Sequence, residues 1–318
     1  MLLFLATFLI AFVLTILLTP MVRSFAPEIG ALDVPSARKV HQEKIPRTGG
    51  IAIYFGFLVA VLFGLLFLGG LRGAVINLRP ILGILLGGSL VLLVGFVDDI
   101  YGMRPLAKLF FQSVGAGVAI YFGVEINFVS NPFNGLFTLG VISIPLTLLW
   151  LVGMTNAINL IDGLDGLAAG VTAISSGTLF FVALRTHQLG AALLMLTLCG
   201  AALGFLRYNF FPASIFLGDS GSYFLGFILA CASVIGVFKT TLVVALVVPL
   251  LILGVPIFDT VFAVFRRLKE KRSPFLADDK HIHHLLLRAG MTQREAVFSI
   301  YLVCFLLSFV ALIMALQK

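Results

Sequence analysis

The stretch Ile81-Leu-Gly-Ile-Leu-Leu-Gly-Gly-Ser-Leu-Val-Leu-Leu-Val-Gly-Phe-Val-Asp-Asp99 runs without a charge until it ends in two carboxylates. Roughly 20 apolar residues span the hydrocarbon of a bilayer, so it reads as a membrane helix that delivers Asp98 and Asp99 to one face. Asp162, Asp165 and Asp219 also stand at the ends of long apolar runs. A charge at the bilayer centre costs about 3 kcal/mol or more and is generally kept for a function, so carboxylates gathered where helices meet water point to a polar site there.

The same reading extends over the whole chain. Of its 318 residues 60% are hydrophobic and 11% charged, and the mean hydropathy is +1.15. Soluble domains carry about 25% charged residues, so two ordinary globular domains are excluded. The expected fold is an all-α polytopic transmembrane bundle, a single domain over residues 1–318. Its ten helices fall near 2–22, 51–68, 81–97, 106–124, 139–157, 167–184, 189–206, 222–238, 241–265 and 296–316. Cys199, Cys231 and Cys304 lie inside apolar runs without metal or redox spacing and read as core residues.

Ten crossings place both termini on one side and divide the loops into two sets. Of the 21 Lys and Arg residues, all but Arg72, Arg79, Arg185, Lys239 and Lys318 fall in one set. The positive-inside rule makes that set cytoplasmic and the termini extracytoplasmic. Of the acidic residues only Glu125 falls on the other side, so the aspartate cluster faces the cytoplasm. A net charge of +7 is explained by this bias without nucleic acid as a partner.

Five cytoplasmic segments carry the chemistry. The first, from Asp33 to Gly50, holds Arg38, Lys39, His41, Lys44 and Arg47 and closes on Gly49-Gly50 before a helix. It suits either phosphate binding or a basic loop held at anionic lipid. In the second, adjacent aspartates on a helix diverge by roughly 100°, so one of Asp98 and Asp99 faces the site while the other pairs with Arg104 or Lys108. The third reads Asn156-Ala-Ile-Asn-Leu-Ile-Asp-Gly-Leu-Asp-Gly-Leu-Ala-Ala-Gly170. Asn156, Asn159, Asp162 and Asp165 recur every third residue and are expected to form one ridge of a helix leaving the membrane. Such a ladder suits a hydrated divalent cation or a nucleoside.

The fourth segment, Arg207 to Ser222, presents Asp219 between glycines at the start of a helix. Mg²⁺ takes one or two carboxylates plus water and phosphate oxygens, and Asp219 suits that role as well as that of a helix cap. The fifth follows Arg266-Arg267 and contains His281-Ile-His-His284. With no cysteine nearby, contact of His281, His283 and His284 with phosphate or sugar is favoured over zinc. Asp259 lies deeper, after Pro256, seven residues before Arg266 and in reach of an ion pair with it.

In this order the segments resemble the polyprenyl-phosphate N-acetylhexosaminyl-1-phosphate transferase superfamily over nearly the whole chain. The stretches that carry the likeness are Arg38-Lys39-Val-His41, Ile45-Pro-Arg-Thr-Gly-Gly50, Asp98-Asp99, Asn159-Leu-Ile-Asp-Gly-Leu-Asp165, Phe216-Leu-Gly-Asp-Ser-Gly221 and His281-Ile-His-His284. Ile282 interrupts the three consecutive histidines typical of the sister MraY branch, so the likeness is to the WecA/TagO branch.

The resemblance implies transfer of GlcNAc-1-phosphate from UDP-GlcNAc to undecaprenyl phosphate with release of UMP, initiating a cell-envelope polysaccharide. The alternatives are another UDP-N-acetylhexosamine, phospho-MurNAc-pentapeptide, or, in a different class, a secondary transporter. Transporters place their polar site near the midplane, whereas these carboxylates cluster at one face. The resemblance further implies Mg²⁺, with Mn²⁺ as a substitute, on Asp219 and Asn159. Asp98, Asp99, Asp162, Asp219 and His281 would serve the chemistry. Lys39, His41, Asn156, Asp165, Asn209, Arg266, Arg267, His283 and His284 would bind substrate. The location implied is the bacterial cytoplasmic membrane, amid membrane lipid, as a monomer or homodimer.

Overall fold

The computed structural model describes residues 1–33, 44–68, 77–130, 136–236, 247–271 and 281–316. Its helices are α1 (Leu2–Phe25), α2 (Gly49–Leu68), α3 (Leu78–Tyr101), α4 (Pro105–Tyr121), α5 (Ser143–Ile161), α6 (Leu167–Arg185), α7 (Leu189–Asn209), α8 (Gly218–Gly236), α9 (Val248–Ile252), α10 (Gly254–Lys269), α11 (Ile282–Arg288) and α12 (Gln293–Leu316). Among the described residues eight helices are long and apolar enough to cross a membrane: α1, α2, α3, α5, α6, α7, α8 and α12. The other two of the ten expected segments are α4, of 17 residues, and the α9–α10 pair.

Position in the bundle follows from the distribution of apolar side chains. α8 packs against α2, α3, α5, α6 and α7, and every residue from Ser220 to Gly236 is buried. A helix enclosed on all sides has no polar face to present, which is why apolar and small residues run all round α8. α1 and α12 instead expose rows of apolar residues, among them Leu5, Leu9, Val13 and Leu17 on one and Phe298, Leu302, Phe305 and Phe309 on the other. These rows form the outer, lipid-facing surface of the bundle.

The single helix expected over 241–265 is corrected. Residues 241–246 lie outside the described residues, and the remainder breaks at Leu253 (φ −98°, ψ 16°) between α9 and α10. Pro256 has no N–H for the carbonyl of Ile252. That carbonyl accepts instead from Ser175 Oγ of α6 at 3.1 Å, so no backbone group is stranded. The expected helical ridge from Asn156 to Asp165 is also corrected. α5 ends at Ile161, Asp162 is non-helical (φ −75°, ψ 54°) and Gly166 is left-handed (φ 79°), so Asp162 and Asp165 belong to a turn. Among the described residues two short antiparallel strand pairs escape helical periodicity altogether: β1 (Leu32–Asp33) with β2 (Ile45–Pro46), and β3 (Phe128–Ser130) with β4 (Leu136–Thr138).

Close backbone approach fixes the N-terminal end of α8. The amides of Gly49 and Gly50 donate to the carbonyls of Phe216 and Leu217, each at 3.0 Å. A Cβ on Gly50 would stand 2.2 Å from the backbone nitrogen of Gly221. Backbone cannot swing aside as a side chain can. Gly50→Ala is therefore expected to destabilise the protein by about 1–3 kcal/mol, typical of overpacking, and to lower its melting temperature in detergent. An unchanged melt would contradict this account of the α2–α8 contact.

Candidate active site

Asp98 and Asp99 stand side by side near the end of α3 and turn to different partners. Asp98 pairs through Oδ2 with Lys108 Nζ, while its Oδ1 accepts the Met103 amide at 2.6 Å. Asp99 accepts the amides of Asp219 at 2.9 Å and Ser220 at 3.0 Å, one on each carboxylate oxygen. The first amides of a helix have no intrahelical acceptor, so a carboxylate from α3 caps α8 and complements its dipole. Arg47, from the β2–α2 link, lies 3.3 Å from Asp99 Oδ1 and donates to the carbonyls of Asp99 (3.0 Å) and Asp98 (3.2 Å).

That cap orients Asp219 in the first turn of α8. Its Oδ1 accepts from Asn159 Nδ2 at 2.9 Å; its Oδ2 lies 3.3 Å from Lys108 Nζ and accepts the Tyr223 hydroxyl at 3.2 Å. Asn159 Nδ2 also donates to Ser222 Oγ at 2.9 Å. One turn back on α5, Asn156 donates to Gln112 Oε1 of α4 at 2.7 Å. A polar column thus descends from the charged cluster toward the membrane interior.

The turn after α5 forms the opposite wall. Asp165 Oδ2 accepts the Ala213 amide at 2.9 Å, and Asn209 bridges the Gly166 amide (3.2 Å) and the Ile215 carbonyl (3.0 Å). The Tyr301 hydroxyl donates to the Gly166 carbonyl at 2.5 Å. These contacts bind the 162–166 turn to the loop between α7 and α8. Burial, reinforced by the carboxylates of Asp219, Asp99 and Asp165, raises the pKa of Asp162 well above the usual carboxylate range.

The two walls enclose a cleft of about 530 Å³ lined by Asp33, Arg47, Asp99, Asn159, Asp162, Asp165, Asn209, Asp219 and His284, with Phe211 and Phe216 among its apolar residues. Of the site residues expected from the sequence, seven line it: Asp99, Asn159, Asp162, Asp165, Asn209, Asp219 and His284. Asp98 pairs with Lys108 and is not among the lining residues, and Asn156 lies one turn back on α5. Arg266 and Arg267 occupy the last turn of α10. Lys39 and His41 lie outside the described residues.

His281 and His283 are buried rather than cleft-lining. Both oxygens of Asp259 are engaged there, Oδ2 with His281 Nδ1 at 2.8 Å and Oδ1 with the Ile282 amide at 2.9 Å. Burial, with the neighbouring His284 and His281, lowers the pKa of His283 to about 4 against a weaker opposing pull from Asp259, so its ring is neutral at pH 7. Sequence reasoning left Gln112 and Tyr223 out of the site, named Arg47 only as part of a basic loop, and treated Lys108 only as a partner for the aspartate pair. Basic residues flanking Asp98-Asp99 were the available signal for Lys108; Gln112 and Tyr223 look like ordinary helix residues until α4, α5 and α8 are packed.

Among the described residues Asp99, Asp162, Asp165 and Asp219 line the cleft with Arg47, while Lys108 bridges Asp98 and Asp219. Among the described residues no group of three or more His, Cys, Asp or Glu is placed to hold a metal. The carboxylates on the cleft wall are hard oxygen donors, the kind a hard cation takes together with oxygens of a bound phosphate.

Residues 81–237 match the family model described as glycosyl transferase family 4. The chain is 40% identical, over 96% of its length and 84% of the relative's, to a probable undecaprenyl-phosphate N-acetylglucosaminyl 1-phosphate transferase of Bacillus subtilis (strain 168). It is 37% identical, over 92% of its length and 77% of the relative's, to a decaprenyl-phosphate N-acetylglucosaminephosphotransferase of Mycolicibacterium smegmatis. With an undecaprenyl-phosphate alpha-N-acetylglucosaminyl 1-phosphate transferase of Escherichia coli O157:H7 the identity is 30%, over 93% of the chain and 80% of the relative.

Proposed function

This chain belongs to glycosyl transferase family 4, and we propose that it transfers N-acetylglucosamine 1-phosphate from UDP-N-acetylglucosamine to undecaprenyl phosphate, releasing UMP. The observation that carries this reading is the setting of Asp219, capped into place by Asp99 and shared by Asn159, Lys108 and Tyr223 at the wall of a nucleotide-sized cleft. An apolar groove of about 370 Å³ adds a place for a polyprenyl chain. It is lined by Leu146, Leu149, Trp150 and Gly153 of α5 together with Leu250 and Val261 of α9 and α10. Because α5 lines both groove and cleft, an acceptor lying in the groove brings its phosphate toward Asn156 and Asn159.

One phosphate attacks another in this reaction, so charge repulsion dominates the barrier and fixed cations reduce it. A phosphate monoester has its second pKa near ~6, so the acceptor is mostly dianionic at pH 7 and needs little help from a base. Asp98 agrees with that division of labour: held by Lys108 and the Met103 amide, it positions the lysine rather than taking a proton. Asp219 and the neighbouring Asn159 are the groups that would hold Mg²⁺ together with the diphosphate. Bound there, the ion supplies charge neutralisation on the transferring phosphate. Asp162, Asp165 and Asn209 line the end of the cleft assigned to the nucleoside.

The 16-to-5 division of basic residues supports a cytoplasmic cleft in a bacterial cytoplasmic membrane. The reading is tested by UMP release from a panel of UDP-sugars in the presence of undecaprenyl phosphate. UDP-GlcNAc is expected to turn over far better than UDP-MurNAc-pentapeptide. The reverse preference would reassign the donor, and UMP release from neither would remove the transferase reading.

A further inference from the structure

Asp259 is a carboxylate 4% exposed, set in α10 away from the aspartate cluster, and nothing in the phosphoryl-transfer chemistry uses it. A buried carboxylate is tolerated only when its oxygens are satisfied. Both are, and both at the start of α11: by the ring of its N-cap residue His281 at 2.8 Å and by the amide of Ile282 at 2.9 Å. Because a carboxylate accepts, Nδ1 of His281 carries the proton, which fixes the orientation of the ring.

The contact continues from ring to ring. His281 lies parallel to His283, with centroids 5.9 Å apart and an interplanar angle of 4°. His283 in turn abuts the turn between Asp162 and Asp165, where a Cβ on Gly163 would come 2.2 Å from its Nε2. The His284 ring, 4.3 Å from that of His283, lines the cleft. A chain of contacts therefore runs from α10 through α11 to the wall that faces the nucleoside.

We propose that Asp259 and His281 are positioning residues, a buried carboxylate–imidazole latch that ties α11 to α10 and so holds His283 against Gly163 and His284 in the cleft. On this inference, which rests on the transferase reading above, His281 does not touch the reacting phosphates. Its one requirement is a donor at the Nδ1 position. Asparagine supplies such a donor without an imidazole.

The test compares His281→Asn, His281→Ala, Asp259→Ala and the Asp259→Ala/His281→Ala double variant of the full chain in UMP release and in thermal melting. His281→Asn is expected to stay within about threefold of wild type. Each alanine variant is expected to lose about 10-fold to 10²-fold in kcat/KM for UDP-GlcNAc, the scale of a misplaced wall. The double variant should be no worse than the worse single, because both remove one contact. His281→Asn as impaired as His281→Ala would overturn the latch, since it would make the imidazole itself necessary. Losses that multiply in the double variant would overturn it too. Should the alanine variants fail to fold, His281→Asn decides alone, and its own failure to fold would count against the latch. Wild-type UMP release is measured alongside: its absence refutes the transferase reading, and the melting temperatures of the same four variants still report whether the two residues are coupled.

Discussion

Asp219→Asn lowers UMP release by roughly 10² or more, the scale expected when one preorganised electrostatic stabiliser is removed. The substitution preserves size and still offers one oxygen, but it removes the charge that Lys108 and the proposed cation share. It also points an amide N–H either at Asn159 Nδ2 or at the Lys108 and Tyr223 donors, since both oxygens of Asp219 are acceptors. Raising Mg²⁺ therefore restores little. UMP release by the variant across a Mg²⁺ titration is the measurement. Wild-type turnover at limiting Mg²⁺ would remove Asp219 from the metal assignment and turn attention to Asp162 and Asp98.

Lys108→Met is expected to cost a comparable factor, about 10² in kcat, for a different reason. Its ammonium bridges Asp98 and Asp219 across the junction of α3, α4 and α8. Methionine fills much of the volume and leaves Asp98, itself buried, without its cationic partner while Asp99 and Asp219 remain close by. Breaking a buried pair from one side is costlier than never having built it. Lys108→Arg should recover only part of the loss, because a planar fork cannot replace a compact ammonium between two carboxylates. A Lys108→Met enzyme that retains more than a tenth of wild-type kcat would place the lysine outside the reaction.

Much of this arrangement is legible in the sequence, and the parts that are not share a physical cause. The apolar run ending at Asp98-Asp99 specifies α3 because hydropathy alone decides whether a segment enters the membrane. The divergence of two adjacent helical side chains is equally local, and it correctly separates Asp98, paired with Lys108, from Asp99, which lines the cleft. Asn156 and Asn159 are found by their spacing on α5, but the same spacing carried past Ile161 misplaces Asp162 and Asp165 in a helix. There the glycines let the chain turn, and Asn209, Tyr301 and the Ala213 amide hold the turn from elsewhere in the fold.

Non-local contacts account for the remaining surprises. Asp219 reads as a helix cap, whereas the side chain that caps α8 is Asp99, 120 residues earlier in the chain. Asp259 reads as a partner for Arg266 on its own helix, whereas both of its oxygens are engaged at the start of α11. Pro256 signals a disturbance in the helix expected over 241–265. That it becomes a clean break depends on Ser175 of α6 accepting responsibility for the freed Ile252 carbonyl as a donor. Residue type and spacing carry each local preference; which distant group satisfies it is settled only when the helices pack.

The Asp219 cleft is proposed to perform a cation-dependent transfer between a nucleotide sugar and a polyprenyl phosphate. The most direct test is UMP release by the purified full chain, with UDP-GlcNAc, undecaprenyl phosphate and Mg²⁺ each omitted in turn. UMP is expected with all three present and at background when the acceptor is left out or the metal is chelated. UMP release that continues without undecaprenyl phosphate, or proceeds undiminished in the presence of a chelator, would contradict the account.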